Sequence, residues 1–185
     1  MKFAVLLAAT AMTLALPATA QEADPIAAVE AESERTSRVA REIWELAELG
    51  YLETQSSGLL VDELQREGFS IQPGVAGIPT AFVAEWGSGG PVIGLLAEFD
   101  ALPGINQSTS PNRDPIEGKH AGHACGHNLF GAGSLTAAIA IRNWLEATGT
   151  PGRVRLYGTP AEEGGSGKVY MTRAGLFDDA DFVID

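Results

Sequence analysis

The first third of the chain has apolar residues at helical spacing. From residue 25 to about residue 50, apolar side chains recur at i, i+4, i+7 and i+8, which places them on one face of a helix. These positions are Val39, Ile43, Leu46 and Ala47. Gly50 is the predicted end of this helix. A shorter helix is predicted from about Ser57 to Glu67, with Gly68 as its terminator.

Beyond residue 68 the pattern changes to short apolar or alternating runs bounded by Gly and Pro, which predict strands. The runs cover residues 69–72, 80–86, 92–97, 153–158 and 181–185. The glycine-rich stretch 87–90 predicts a hairpin turn between two of them. Helices are predicted over about 128–147 and 167–175. This order of elements predicts an α/β fold, with a mixed sheet flanked by helices.

Three segments that carry acidic, cysteine or histidine side chains lie just after a predicted strand or just before a predicted helix: residues 97–103, 123–128 and 160–165. In open α/β sheets, functional sites form at the carboxyl ends of strands, so we expect these segments to meet. The polar stretch 103–126 is too long for a simple connection, and loops of such length in a compact domain are often functional.

The first twenty residues have the three parts of a secretory signal peptide. Lys2 is followed by an apolar run over residues 3–16 and then by the small-x-small sequence Ala18-Thr19-Ala20. We therefore expect residues 1–20 to be removed and residues 21–185 to lie in the periplasm or outside the cell, free of the membrane. The alternative is an uncleaved anchor, although the apolar run is short for a membrane span.

Composition narrows the range of partners. A formal net charge of -12 disfavours nucleic acid and anionic membrane surfaces as partners. With 45% hydrophobic residues the chain can fill a core. Cys125 is the one cysteine, so no intramolecular disulfide can form. In an oxidising compartment a lone thiol needs protection, which burial or metal ligation would supply.

Cys125 and His127 form the centre of the candidate chemistry. In an extended segment, residues two apart project to the same side, and Gly126 between them lets the backbone approach an ion. Thiolate and imidazole both bind zinc-like metals, and the predicted helix that follows would stabilise the thiolate. Singly, each residue is also compatible with a structural role. Together, before a helix and with a distant acidic pair, they favour metal binding.

The acidic pair is Glu162 and Glu163. Adjacent side chains in an extended stretch point in different directions, so the two carboxylates suit different roles. One would bind metal, and the other would take a proton from a metal-activated water and pass it to a leaving amine. Taken alone, the pair is also typical of a solvated turn. Asp100, at a strand end, would orient a ligating histidine; Glu98 is a weaker candidate for this site.

Two nucleotide-binding patterns are rejected. The stretch 164–168 suggests a phosphate-binding loop, but the pattern requires Gly where the chain has Glu162 and Ser or Thr where it has Val169. The glycines at 131 and 133 lack the third glycine of a dinucleotide fingerprint. Two hypotheses stay open beside a metal-dependent enzyme: an exported metal-binding module without catalysis, and a hydrolase with Cys125 as nucleophile.

The segments EFDALPG, HACGHN and TPAEEGGSGK, in this order, closely resemble the dinuclear metal-dependent amidohydrolase and peptidase superfamily of aminoacylases and carboxypeptidases. The combination of DALPGINQ with Cys-Gly-His-Asn is most similar to its branch with indole-acetyl-amino-acid hydrolases and the aminobenzoyl-glutamate hydrolase B subunit. The resemblance covers residues 25–185. It implies that residues 21–185 are the N-terminal part of a truncated catalytic domain, inactive or nearly so by itself.

The resemblance also implies roles for single residues. Cys125, His127 and Glu163 match metal ligands, Glu162 matches the general base, and Asp100 matches the aspartate that supports the site. Two divalent ions, zinc or manganese, are implied. The implied reaction is hydrolysis of an amide between an acyl or aroyl group and an amino acid. The complete protein is expected to form a homo-oligomer or to pair with another subunit.

Overall fold

A mixed five-stranded sheet forms the centre of the computed structural model, which describes residues 24–185. The strands along the chain are β1 Ser70–Pro73, β2 Phe82–Ser88, β3 Val92–Ala97, β4 Leu102–Pro103, β5 Ala121–Gly122, β6 Gly152–Gly158 and β7 Phe182–Ile184. The order of the strands in the five-stranded sheet is β1-β2-β6-β3-β7. The β1–β2 and β2–β6 pairs are antiparallel, whereas β6–β3 and β3–β7 are parallel. Two short strands, β4 and β5, pair separately.

Helices cover both faces of this sheet, as the sequence predicted. They are α1 Pro25–Glu30, α2 Ser33–Leu46, α3 Thr54–Arg66, α4 His127–Thr148, α5 Glu162–Gly165 and α6 Gly167–Arg173, with a 3-10 turn at Val75–Gly77. One face packs against α2, α3 and α4 through a core that includes Val39, Ile43, Leu60, Leu64, Phe82, Leu95, Leu135, Ile139, Val154 and Leu156. The other face packs against α6 and the 3-10 turn, with Val83, Leu96, Tyr157 and Met171 buried between them. Neighbouring residues of β2, β3 and β6 therefore place their side chains in the cores on opposite faces of the sheet, because side chains alternate along a strand.

The predicted hairpin at 87–90 is wrong, because β2 and β3 are not paired with each other. The strand β6 lies between them, pairing antiparallel with β2 and parallel with β3. Arg155 of β6, for example, lies opposite Glu85 on one side and Gly94 on the other. A glycine-rich turn shows that the chain reverses, but a strand from far along the sequence can still insert between the two arms.

The helix predicted over 25–50 is shorter and broken. It divides into α1 and α2, and α2 ends at Leu46 because Ala47 adopts a left-handed backbone with φ of 45°. Residues 48–53 then run as a connection to α3. The backbone of this connection contacts the segment between β3 and β4, since the Ala101 N–H donates to the Glu48 carbonyl at 2.8 Å. The other helices begin and end within a few residues of the predicted bounds.

The predicted signal peptide, residues 1–20, lies outside the described residues, so its cleavage and a periplasmic or secreted location stay predictions. Between residues 24 and 185, no helix is both long enough and apolar enough to cross a membrane. The predicted boundary between residues 20 and 21 also falls outside the described part of the chain.

Candidate metal centre

The parallel pairing of β3 and β6 brings the predicted site segments together. Ala97 at the end of β3 lies opposite Gly158 at the end of β6, so the loops that follow both strands leave the same edge of the sheet. The first turns of α4 pack against this edge. A Cβ atom on Gly131 would lie 2.6 Å from the Glu98 carbonyl oxygen, so glycine at this position permits the close approach.

His127, the first residue of α4, occupies the middle of the site and is 5% exposed. Its Nδ1 lies 2.9 Å from Asp100 Oδ1, and the other Asp100 oxygen accepts the Glu163 N–H at 2.9 Å. Asp100 is 1% exposed, so both of its bonds are shielded from water. This arrangement directs His127 Nε2 toward the acidic side chains, which is the geometry that the predicted role of Asp100 requires.

Two overlapping groups of potential metal donors share His127. Cys125, His127 and Glu163 offer one ligand atom each within 4.8 Å of one another, and Glu98, His127 and Glu162 form a second such group. His127 Nε2 lies 2.9 Å from Glu98 Oε2, 3.8 Å from Glu162 Oε2 and 3.9 Å from Glu163 Oε1. The four donor residues selected from the sequence, which are Cys125, His127, Glu162 and Glu163, therefore meet at one place, and the fifth selected residue, Asp100, contacts His127.

The donor chemistry fits divalent metal ions. Glu163 Oε1 is buried and has no hydrogen-bonding partner among the described residues, although it lies beside Cys125 and His127. An unpaired buried carboxylate oxygen is costly, and coordination to a cation would remove that cost. One sulfur, one imidazole nitrogen and one carboxylate oxygen are a donor set that suits zinc-type ions. The second group, with two carboxylates, suits a harder ion such as manganese equally well.

Local electrostatics follow from the crowding of acidic groups. Burial alone lowers the pKa of His127, but the Asp100 hydrogen bond and the charge of Glu98 reverse this, and the net direction is upward. Burial raises the pKa of Asp100, yet the hydrogen bonds from His127 and the Glu163 backbone outweigh it and hold that pKa below its ordinary value. Desolvation and then the charge of Glu163 raise the pKa of Cys125. Both a nucleophilic cysteine and a thiolate ligand need the opposite shift, which a bound cation would supply.

Local backbone geometry differs from the extended segment assumed for residues 125–127. Gly126 has φ of 94° and precedes the first residue of α4. Cys125 and His127 therefore converge because a left-handed glycine turns the chain into the helix. Cys125 is exposed, so burial does not protect this thiol.

Two charged residues contact the site although the sequence motifs gave little or no indication of their roles. Glu98, judged the weaker candidate, contacts His127 Nε2, and it lies two residues before Asp100 at the same strand end. Lys168, considered only for a phosphate loop, forms an ion pair with Glu98 and a second one with Asp185 at 3.2 Å. The i, i+2 spacing of Glu98 and Asp100 was a usable signal. Nothing local in the sequence points to Lys168, because its partner is 70 residues away along the chain.

Comparison with known proteins agrees with this geometry. Residues 94–185, which contain all the donors, match the peptidase family M20/M25/M40. The chain is 44% identical over 155 residues to the B subunit of p-aminobenzoyl-glutamate hydrolase from Escherichia coli (strain K12), covering 83% of this chain and 32% of that protein. The chain belongs to peptidase family M20/M25/M40. The superfamily resemblance recognised in the sequence is thus confirmed.

Another relative and a solved structure also match this chain. Xaa-Arg dipeptidase of Mus musculus is 35% identical over 168 residues, covering 84% of this chain and 35% of that protein. The solved structure of the Bacillus subtilis YXEP protein, described as a dinuclear metal-binding peptidase of the M20 family, superposes with a TM-score of 0.66 at 27% identity, covering 83% of this chain and 42% of that one. The chain spans about a third of the length of the curated relatives named here. The predicted mixed sheet flanked by helices is confirmed as the M20 catalytic-domain fold.

Proposed function

We propose that the complete protein hydrolyses an amide bond between an acyl or aroyl group and an amino acid, using two divalent metal ions. Cys125, His127 and Glu163 would hold one ion. Because Asp100 binds Nδ1 of His127, the single free ring nitrogen would serve that ion alone, and Glu98 would be a donor to the second ion. Glu162 would act as general base, and Asp100 would hold His127 in place. The observation that carries this proposal is the convergence of sulfur, imidazole and carboxylate donors at one place, where a buried Glu163 oxygen has no other described partner.

The positions of the two glutamates support a division of roles. The side chain of Glu163 is 18% exposed and that of Glu162 is 43% exposed, so Glu163 faces inward whereas Glu162 faces solvent. Divalent ions, when bound, supply charge that polarises an amide carbonyl and acidifies a water molecule. Glu162 then takes the proton of the attacking water on its carboxylate and passes it to the nitrogen of the leaving amino acid. Asp100 accepts a hydrogen bond from the Nδ1–H of His127, so that Nε2 stays unprotonated and available as a metal ligand.

Zinc or manganese is the proposed metal. Sulfur and imidazole donors favour zinc, and the carboxylates of Glu163 and Glu98 also suit manganese. The proposed substrate class is supported by the name of the Escherichia coli relative, in which an aroyl group is joined to glutamate. The small-molecule amide is thus a proposal that rests on family likeness, whereas the metal donors rest on geometry.

Location and assembly are part of the same proposal. The signal-peptide pattern of residues 1–20 supports export to the periplasm or the exterior. The Escherichia coli relative is named as one subunit of a hydrolase, which supports either a paired subunit or a homo-oligomer for the complete protein. Cell fractionation and light scattering on the secreted protein would test these two points.

The direct test is hydrolysis of p-aminobenzoyl-glutamate by the complete protein, with Glu162→Gln as the key variant. We expect kcat to fall roughly 100- to 10,000-fold in Glu162→Gln because the proton acceptor is lost, while zinc binding is retained. Chelation should abolish hydrolysis in the unaltered protein, and added zinc or manganese should restore it.

Three results would contradict the proposal, each in a different way. Metal binding without turnover, unchanged by Glu162→Gln, would favour the non-catalytic metal-binding module. Hydrolysis that survives complete metal removal would favour Cys125 as a nucleophile. Less than one zinc or manganese per chain, with no hydrolysis restored by metal, would remove the metal centre altogether.

A further inference from the structure

The connection of residues 48–53, between α2 and α3, packs against the turn that carries the two glutamates. Three of its residues contact that turn: Gly50, Tyr51 and Glu53. The same connection also contacts the segment between β3 and β4, where Leu49 forms an isolated bridge with Ala101. It therefore touches the segments on both sides of the metal centre, although it supplies no donor itself.

Glu53 is a fully buried acidic residue of this connection. It is 0% exposed, although its side chain ends in a carboxylate. One oxygen accepts the Ala161 N–H at 2.8 Å, and the other accepts the Thr80 hydroxyl at 3.0 Å. These partners are neutral groups. A buried carboxylate satisfied only by neutral donors is costly to maintain, so its presence requires a reason beyond packing.

The backbone group that Glu53 holds belongs to a strained residue. Ala161 has φ of 58° and ψ of 44°, a left-handed conformation that alanine rarely adopts because of its Cβ atom. It comes directly before Glu162 and Glu163. The direction in which these two side chains leave the backbone therefore depends on Ala161 keeping this conformation.

Two further contacts hold the same turn. A Cβ atom on Gly50 would lie 2.9 Å from both Cα and Cβ of Ala161, so the two backbones touch at a point where only glycine fits. At the other end of the turn, the Tyr51 hydroxyl donates to the Gly165 carbonyl oxygen. The turn is thus fixed at Ala161 by Gly50 and Glu53, and at Gly165 by Tyr51.

We propose that Glu53 is a positioning residue for the metal centre: its buried carboxylate holds Ala161 in the left-handed conformation and thereby aims Glu163 at the metal and Glu162 at the reacting groups. This inference rests on the metal centre proposed above. Asp100 fixes the Glu163 N–H from one side, and Glu53 fixes the Ala161 N–H two residues earlier. Residues that orient metal ligands from outside the coordination sphere commonly control affinity, although they never contact the ion.

The test is a titration of the chain with Co²⁺, followed by its visible and thiolate-to-cobalt absorption bands. Glu53→Leu removes the acceptor for the Ala161 N–H while keeping a side chain of similar size. We expect it to weaken Co²⁺ affinity roughly 10- to 100-fold and to shift the visible bands, because Glu163 no longer reaches its position. Glu53→Gln keeps an acceptor oxygen, so its affinity should return toward that of the unaltered chain.

Glu63 provides the matched control. It is another buried glutamate, located on α3, but its partners are the arginines Arg35, Arg38 and Arg66. Glu63→Leu should lower the melting temperature and leave both the Co²⁺ affinity and the bands unchanged. Equal weakening in Glu53→Leu and Glu63→Leu would reduce the effect to general destabilisation and overturn the proposal. Unchanged affinity and bands in folded Glu53→Leu would overturn it as well.

If Glu53→Leu does not fold, Thr80→Val tests the same role. The Thr80 hydroxyl donates to Glu53, so its removal should loosen the carboxylate and weaken Co²⁺ affinity roughly 2- to 10-fold. Unchanged affinity in this variant would then overturn the role of Glu53. Failure of the unaltered chain to bind Co²⁺ is a separate outcome, which would remove the metal centre itself and this inference with it.

Discussion

At the scale of single residues, Asp100 connects two parts of the site that are far apart in sequence. One oxygen binds the His127 ring and the other binds the Glu163 backbone.

In Asp100→Asn, one of these acceptors becomes an amide N–H₂ and faces a donor. We expect zinc affinity to fall roughly 10- to 100-fold, measured by competition with a chelating dye. Asp179→Asn is the control, because Asp179 pairs with Arg155 and should leave zinc affinity unchanged. Equal zinc affinity in Asp100→Asn would refute the role of Asp100.

The residues found from the sequence share one property: they lie at strand ends or helix starts within short motifs. Cys125, His127 and the two glutamates could be selected because their spacing and neighbours are visible in the chain itself. Lys168 and Glu53 could not be selected in this way. Their importance depends on partners 70 and 108 positions away, at Glu98 and Ala161, and no local pattern encodes those contacts.

At the scale of secondary-structure elements, the approach of α4 to the end of β3 controls the site. Gly131 would place a Cβ atom 2.6 Å from the Glu98 backbone, whereas a Cβ atom on Gly133 of the same helix would meet nothing within 4 Å. We therefore expect Gly131→Ala to lower the free energy of unfolding by about 1–3 kcal/mol. Gly133→Ala should instead raise it by about 0.5–1 kcal/mol, because alanine is the better helix former. Urea denaturation measures both, and similar effects of the two changes would refute this account of the helix contact.

Hydrophobic periodicity predicted most of the elements but not how the strands are arranged. The apolar runs of β2, β3 and β6 mark strands correctly, since each run fills a core on at least one face. The run itself cannot show that β6 enters between β2 and β3, because that order depends on the crossover through α4. The hairpin prediction failed for this reason, although the turn at 87–90 exists.

At the scale of the whole molecule, bound metal would join three chain segments: the end of β3, the start of α4 and the loop after β6. Binding to the folded state alone stabilises it, by about 2.7 kcal/mol when the ligand concentration is 100 times Kd. For a chain of this size we expect zinc at that concentration to raise the melting temperature by about 5–10 °C over the chelated protein. Cys125→Ser should lose most of this increase. An increase of the same size in Cys125→Ser would place the zinc elsewhere.

The central claim is that Cys125, His127 and Glu163 bind a metal ion together. X-ray absorption at the zinc edge of the zinc-loaded chain tests it most directly, because sulfur and nitrogen or oxygen ligands differ in distance. The account predicts one sulfur at about 2.3 Å with nitrogen and oxygen ligands near 2.0–2.1 Å, and loss of the sulfur shell in Cys125→Ser. A spectrum with only nitrogen and oxygen ligands in the unaltered chain, or a sulfur shell that persists in Cys125→Ser, would contradict it.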